Sequence, residues 1–116
     1  MLRKRGGTWV GWPGMGLEPD EVIHQGDEPY HIAPVRLGEA DVTRYLHGFS
    51  NRTLWPMLHS LSLLARFDRK DFERYEKVNG LFAEAIIPEA SSGELIWIHD
   101  YHLMLAPSRI REALPD

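Results

Sequence analysis

The chain of 116 residues contains no cysteine, which excludes a disulfide framework and a thiolate metal site. Its formal net charge is -4 with acidic and basic residues interspersed, so it offers no broad basic face for nucleic acid and no polybasic stripe for a membrane. No apolar run approaches the roughly 20 residues that a membrane-spanning helix needs. We therefore expect a soluble, cytoplasmic protein without nucleic-acid or membrane partners.

Several targeting and catalytic motifs are also missing. The basic start at Met1–Arg5 is followed by Gly6-Gly7-Thr8 instead of an apolar stretch, so we predict no signal peptide. The chain has no P-loop lysine motif, no G-x-S-x-G and no G-x-G-x-x-G, and it shows no internal repeat. Common nucleotide-phosphate loops and the hydrolase nucleophile elbow are thereby excluded.

Two strands are predicted in the first third of the chain. Thr8–Trp12 is rich in β-favouring residues and ends at the turn signal Pro13-Gly14. A loop follows to about Pro29, within which Glu21–His24 could pair briefly as an edge. The second strand is Tyr30–Val35, in which Pro34 predicts an edge or a strand end.

Two short helices are predicted next. The first is Glu39–His47, and Gly48 is placed to end it in a left-handed conformation. Ser50 can cap the second, which runs through His59, and Pro56 should kink or restart that helix.

A long amphipathic helix gives the clearest periodicity of the sequence. Asp68 is its predicted N-cap and Pro88 lies near its end. Apolar and aromatic residues recur at three- and four-residue steps, which predicts a buried stripe: Phe72, Tyr75, Val78, Phe82 and Ile86.

The last third predicts a buried strand at Leu95–Ile98 and a final helix at Pro107–Leu114. Strand, long helix, strand, helix is typical of a parallel α/β sheet covered by helices. Because only two or three strands can be counted, the expected fold is an incomplete Rossmann-like sheet that is part of a larger domain.

Polar side chains follow the predicted strand at Leu95–Ile98, in the order His99-Asp100-Tyr101-His102. Ligand sites in open α/β sheets form at the carboxyl ends of strands. Asp100 could accept hydrogen bonds from sugar hydroxyls, and His102 could donate one or exchange a proton. A zinc or iron site and a solvated strand end remain alternatives.

Two further segments are candidate ligand contacts. Trp12, at the end of the first strand, could stack on a sugar ring, although core packing explains a Trp equally well. At Ser50–Thr53 a helix start with the donor Arg52 favours an anion such as phosphate. Simple helix capping with a solvated arginine is the alternative.

Three segments occur in an order that resembles the trehalose-6-phosphate synthase family. They are Gly6-Gly7-Thr8-Trp9-Val10-Gly11-Trp12-Pro13-Gly14, Gly48-Phe49-Ser50-Asn51-Arg52-Thr53-Leu54-Trp55-Pro56, and Ile96-Trp97-Ile98-His99-Asp100-Tyr101-His102-Leu103-Met104. The resemblance covers nearly the whole chain. It implies a retaining glycosyltransferase with two Rossmann-like domains, which moves glucose from UDP-glucose onto glucose 6-phosphate and requires no metal or other cofactor.

The resemblance also assigns roles to individual residues. It implies that Trp12 lines the acceptor pocket, that Trp55 contacts the acceptor phosphate region and that Asp100 binds acceptor hydroxyls. Arg52 and His102 are possible supporting residues. With these roles, the metal alternative for His99, Asp100 and His102 becomes minor.

The chain departs from the family pattern in two respects. A phosphate-contacting Tyr of the family falls on Leu46, with Tyr45 beside it, and leucine has no hydroxyl to offer. The family's amino-terminal strand and its nucleotide-sugar domain have no counterpart here. Residues 1–116 are thus expected to be a partial, acceptor-side N-terminal domain that is inactive alone. A synthase that uses glycerol 3-phosphate and a non-catalytic module of a split enzyme, docking on a complementary fragment or on a second copy, are the alternatives.

Overall fold

A computed structural model of the chain describes residues 5–14 and 30–116. The predicted loop before Pro29 and its possible edge at Glu21–His24 lie outside the described residues. The element order is strand, strand, a long helical stretch, a central helix and a final helix. This arrangement confirms the predicted α/β class.

The sheet consists of two parallel strands, β1 (Thr8–Gly11) and β2 (His31–Pro34). Backbone bonds extend the pairing at both ends, from His31 N–H to the Gly7 carbonyl at 2.9 Å and from Val35 N–H to the Gly11 carbonyl at 2.8 Å. Pro34 is the last residue of β2, where its missing N–H costs no ladder bond. The two predicted strands and the position of Pro34 are confirmed.

One continuous helical stretch replaces the two short helices of the prediction. A first turn, α1 (Glu39–Asp41), leads into a π-helix at Val42–Leu54, and α2 (Trp55–Leu58) follows directly. The predicted break at Gly48 and helix start at Ser50 are therefore wrong. Pro56 does lie in the first turn of α2 and restarts an α-helix there, as predicted.

Gly48 serves close packing, because a Cβ built on it would lie 2.5 Å from the Asp71 Oδ2 atom. Asp71 accepts a hydrogen bond from Arg44 Nη1 at 3.0 Å, so its carboxylate is held against the helix. The absence of a side chain at Gly48 therefore makes room for this carboxylate, and does not mark the end of a helix.

The long helix is confirmed as α3 (Arg69–Ile86). Asp68 caps it by accepting the Lys70 N–H at 2.8 Å. The final helix, α4 (Ala106–Ala113), is confirmed within one residue at each end.

The core surrounds α3. On one side its apolar stripe packs against the π-helix, where the Phe49 ring centroid lies 4.7 Å from that of Tyr75. On the other side Ala83 and Ile86 pack against Ala106 and Ile110 of α4. Val10 of β1 contacts both clusters, so α3 joins the sheet to both helical neighbours.

The predicted strand at Leu95–Ile98 is wrong in the described part of the chain, where residues 94–99 have no strand partner. Ile96 and Ile98 pack against the α3–α4 cluster, whereas Leu95 is 80% and Trp97 65% exposed. Apolar composition alone predicted a buried strand, but a strand also needs a neighbour that supplies backbone partners.

Candidate functional site

The turn from Asp100 to Met104 is the centre of the candidate site. It begins where the apolar residues 95–98 end, and Tyr101–Leu103 form one turn of 3₁₀ helix. The turn lies between the two tryptophans that the sequence singled out. The polar groups of the turn follow an apolar run that is not a paired strand within the described residues.

Asp100 has an unusual backbone conformation, with φ 64° and ψ -169°. This region is essentially reserved for glycine, so a residue with a Cβ is strained there. The Asp100 side chain is exposed, and its Oδ1 atom accepts the Tyr101 N–H at 3.0 Å. The other carboxylate oxygen, Oδ2, has no protein partner in the described residues, so it is available to a ligand hydroxyl.

Trp12 and His102 line the same open cavity of about 230 Å³. Trp12 follows β1 directly, and its side chain is partly buried against the core. Leu46 lines this cavity as well, so the residue that departs from the family pattern faces the candidate site. The remaining lining residues are Leu37, Val42, Tyr45, Phe82 and Leu103.

Trp55 contacts the turn through the Tyr101 ring and does not line the cavity of Trp12. Its ring centroid is 5.5 Å from that of Tyr101 and 3.9 Å from that of His59. The Tyr101 hydroxyl donates to Asn51 Oδ1 at 3.3 Å. Burial raises the pKa of the Tyr101 hydroxyl and the Asp100 charge raises it further, so this hydroxyl stays protonated near neutral pH.

The predicted helix N-terminus at Ser50–Thr53 is not an anion site of the expected kind. These residues lie inside the π-helix, so their backbone N–H groups are not free helix ends. Ser50 Oγ is wholly buried and has no hydrogen-bond partner among the described residues, and Thr53 Oγ1 donates to the Arg66 carbonyl. The Arg52 side chain is exposed, and nothing in the described residues pairs with it.

His99 is stacked on Trp97 with ring centroids 5.1 Å apart. In the residues that the structure describes, no three His, Cys, Asp or Glu side chains are grouped to hold a metal ion. The candidate site therefore consists of aromatic, hydroxyl, carboxylate and imidazole groups.

Two residues beneath the turn, Tyr75 and Asn79, were given no role at the site by the sequence analysis. Both lie on α3 and are fully buried, and both hydrogen-bond to the backbone of the turn. The periodicity of α3 predicts a core position for Tyr75. The signal that could have found the pair is a polar Asn one helical turn after a Tyr on an otherwise apolar face.

The family profile of glycosyltransferase family 20 matches residues 1–116. Trehalose-6-phosphate synthase of Mycolicibacterium smegmatis is 44% identical over 116 residues, which cover 100% of this chain and 23% of that protein. The Mycobacterium tuberculosis H37Rv enzyme of the same name is 41% identical over 122 residues, covering 100% and 24%. The chain thus spans about a quarter of the length of these curated relatives.

Solved structures of the same family also resemble the chain. An α,α-trehalose-phosphate synthase (UDP-forming) of Burkholderia vietnamiensis superposes with a TM-score of 0.81 at 36% identity, covering 96% of this chain and 25% of that one. The Burkholderia xenovorans enzyme in complex with glucose-6-phosphate gives 0.75 at 36% identity, covering 93% and 24%. The family profile, the curated relatives and the solved structures agree, and the chain belongs to glycosyltransferase family 20.

Proposed function

We propose that residues 1–116 form the acceptor-side part of the N-terminal Rossmann-like domain of an α,α-trehalose-phosphate synthase. This enzyme would be a retaining glycosyltransferase that moves glucose from UDP-glucose to glucose 6-phosphate. The observation that carries the proposal is the turn at Asp100, which meets the cavity of Trp12 through His102 and the ring of Trp55 through Tyr101. A relative solved with glucose-6-phosphate supports the choice of acceptor.

Each residue of the site has a role that suits its chemistry. The Asp100 carboxylate accepts hydrogen bonds from acceptor hydroxyls, since an ionised carboxylate is a strong acceptor. Trp12 and Trp55 offer ring faces and indole N–H donors to the sugar and its phosphate region. Arg52 and His102 supply a cation and a neutral-pH donor as supporting contacts.

The donor is held by polypeptide outside these residues in this proposal. Transfer breaks the bond between the anomeric carbon of glucose and the diphosphate, and it joins that carbon to an acceptor hydroxyl oxygen, whose proton is released. The role of this chain is to hold the acceptor in the position and orientation for attack on the donor. Such positioning can lower the reaction barrier by several kcal/mol. No metal or cofactor takes part.

Binding of the acceptor to the purified chain tests the assignment directly. Titration calorimetry should detect glucose 6-phosphate, and Asp100→Asn should weaken its affinity about tenfold because a charged acceptor is lost. Glu112→Gln makes the same chemical change at an exposed position on α4 and should leave affinity unchanged. No binding by the unmodified chain, or equal losses in both variants, would refute the acceptor site.

Catalysis by the chain alone provides a second test. With UDP-glucose and glucose 6-phosphate, the purified chain is expected to form no trehalose 6-phosphate, because the donor side is assigned elsewhere. Detectable product would contradict the restriction to an acceptor half-site.

A synthase that uses glycerol 3-phosphate is a second candidate, favoured by Leu46 on the cavity wall. If glucose 6-phosphate is the acceptor, Leu46→Tyr should tighten its binding about fivefold, through one added hydrogen bond. Leu58→Tyr places the same hydroxyl on exposed α2 and should change nothing. Tighter binding of glycerol 3-phosphate than of glucose 6-phosphate by the unmodified chain would favour the second candidate.

A non-catalytic module of a split enzyme is the third candidate, with a complementary fragment or a second copy as partner. It is favoured by residues 94–99, which expose Leu95 and Trp97 and have no strand partner in the described part, because such an edge is a template for pairing. Co-purification with a separately produced remainder of the domain would support it, provided that Trp97→Lys abolishes the complex and Leu63→Lys does not. A monomer that captures no such fragment would count against it.

The proposed location is the cytoplasm, which suits a cysteine-free chain. Across residues 5–14 and 30–116, no helix is long and apolar enough to cross a bilayer.

A further inference from the structure

Two polar side chains lie in the core directly beneath the turn at Asp100. Tyr75 and Asn79 stand one helical turn apart on α3, and their exposures are 1% and 0%. Buried polar groups are retained at a cost unless hydrogen bonds satisfy them. The partners of both side chains therefore indicate what the pair does.

Tyr75 holds the two ends of the turn with one hydroxyl. The hydroxyl donates to the Tyr101 carbonyl at 2.8 Å and accepts the Met104 N–H at 3.0 Å. Burial raises the pKa of this hydroxyl, although the hydrogen bond from the Met104 N–H and the nearby Asn79 side chain oppose the increase. It therefore remains a donor at neutral pH and keeps both bonds.

Asn79 holds the turn further along the chain. Its Nδ2 donates to the Tyr75 carbonyl at 2.8 Å and to the His102 carbonyl at 3.3 Å. Its Oδ1 accepts the Leu105 and Ala106 N–H groups at 3.0 and 3.1 Å. No side chain of α4 caps its own first turn, so Asn79 supplies that cap from another helix.

The turn needs this support because Asp100, next to Tyr101, is strained. A residue with a Cβ at φ 64° and ψ -169° persists only where its surroundings enforce the conformation. Within the described residues, the local contact is the Asp100 Oδ1 bond to the Tyr101 N–H. Tyr75 and Asn79 supply the bonds to the Tyr101 and His102 carbonyls and to the Met104, Leu105 and Ala106 N–H groups.

We propose that Tyr75 and Asn79 are positioning residues that hold Asp100 in its strained conformation, with its carboxylate already placed for acceptor hydroxyls. The acceptor part of this inference rests on the proposed function, whereas the restraint of the turn does not. Neither side chain touches the acceptor. Both act through the backbone of residues 101–106, so that binding does not have to order the turn.

The test is Tyr75→Phe, which removes the hydroxyl and keeps the ring. Tyr45→Phe is a matched control for the turn, because Tyr45 is also buried, its ring lies beside that of Tyr75, and its hydroxyl has no hydrogen bond in the described residues. We expect the Met104 amide of Tyr75→Phe to exchange with solvent about tenfold faster than in the control. The Asp100 carbon chemical shifts should also move toward values of unstrained backbone.

Affinity for glucose 6-phosphate gives the functional readout. It should fall about tenfold in Tyr75→Phe, whereas Ile86→Val, a similarly mild destabilisation in the α3–α4 cluster, should leave it unchanged. Asn79→Ser provides a second variant with the same expected outcome, should Tyr75→Phe fail to fold.

The outcomes separate the two claims. Unchanged Asp100 shifts and unchanged Met104 exchange in the folded variants would overturn the positioning role. If the unmodified chain does not bind glucose 6-phosphate but shifts and exchange change as expected, the restraint of the turn stands and the proposed acceptor site fails. Equal losses of affinity in Tyr75→Phe and Ile86→Val would reduce Tyr75 to an ordinary core residue.

Discussion

Asp100 has a carboxylate suited to a ligand site and a strained backbone conformation, and only the first could be predicted from the sequence. Its chemistry could be predicted, because a carboxylate directly after an apolar run suits a ligand site. Its backbone conformation could not, since φ 64° follows from tertiary bonds between α3 and the turn. The sequence around Asp100 contains no glycine that would signal such a conformation.

Substitutions at Asp100 can measure the strain. Asp100→Gly and Asp100→Ala both lose the carboxylate, but only the alanine keeps a Cβ in the strained region. We expect the glycine variant to unfold at higher urea concentration, with a free energy of unfolding larger by about 1–2 kcal/mol.

The same pair of substitutions at Glu76 is the control. Glu76 is exposed on α3, where glycine should be less stable than alanine by about 1 kcal/mol. The order of stability should therefore reverse between the two positions. An alanine variant at Asp100 as stable as the glycine variant would show that the turn is relaxed.

At the scale of the element, prediction succeeded where local signals decide the structure. The periodic stripe and the cap at Asp68 placed α3, and Pro56 placed the start of α2. Prediction failed where distant partners decide. Gly48 lies inside a helix, and the Asp71 carboxylate packs against it. Residues 95–98 form no sheet in the described part, and their own composition cannot show whether a strand partner is present.

The effect of a side chain at Gly80 on α3 can be predicted from what the added Cβ would contact. A Cβ on Gly80 would meet the Arg109 Nη1 atom of α4, the mobile end of a long side chain that can move into solvent. Gly80→Ala should therefore raise the free energy of unfolding by about 0.5–1 kcal/mol through helix propensity, as measured by urea titration.

A second glycine provides the contrast. Gly48→Ala meets a carboxylate held by Arg44 and should lower the free energy of unfolding. If both substitutions change the free energy of unfolding in the same direction, then the space for a Cβ at Gly48 and Gly80 does not determine their effects.

At the scale of the whole molecule, α3 organises both the core and the candidate site. The face that packs on Tyr45 and Phe49 also carries Tyr75 and Asn79 beneath the turn. Stability and the proposed acceptor binding therefore depend on the same residues. The fold class could be predicted from sequence, and the ligand-facing role of the turn stays a prediction. The polar contacts that join α3 to the turn could not be predicted, because they depend on packing between α3 and residues 101–106.

The shared core also predicts a response to alkaline pH. Burial raises the pKa of both Tyr45 and Tyr75 above the usual value near 10, and for Tyr45 the neighbouring Tyr75 raises it further. An acid whose pKa is higher in the folded than in the unfolded state contributes stability that is fully present below its unfolded-state pKa. This stability is lost as pH rises through the folded-state pKa, because ionisation then favours the unfolded chain. Stability should thus be constant from pH 7 to about 9 and should fall above about 10.

Urea unfolding at pH 8 to 11 checks this expectation. Each tyrosine can add a slope of up to about 1.4 kcal/mol per pH unit, so Tyr45→Phe should flatten the decline. An identical decline in Tyr45→Phe and the unmodified chain would mean that other groups cause the alkaline loss.

The stretch from α2 to the start of α3 leaves many large apolar side chains on the surface, and Leu63 is fully exposed. The others are Met57, Leu58, Leu61, Leu64 and Phe67. Environment-sensitive fluorescent dyes such as ANS, whose uptake is commonly taken as the sign of a molten globule, should bind this surface when every helix is intact. Dye fluorescence is consequently a poor criterion of misfolding for this chain, and near-ultraviolet dichroism of its tryptophans is the sounder one.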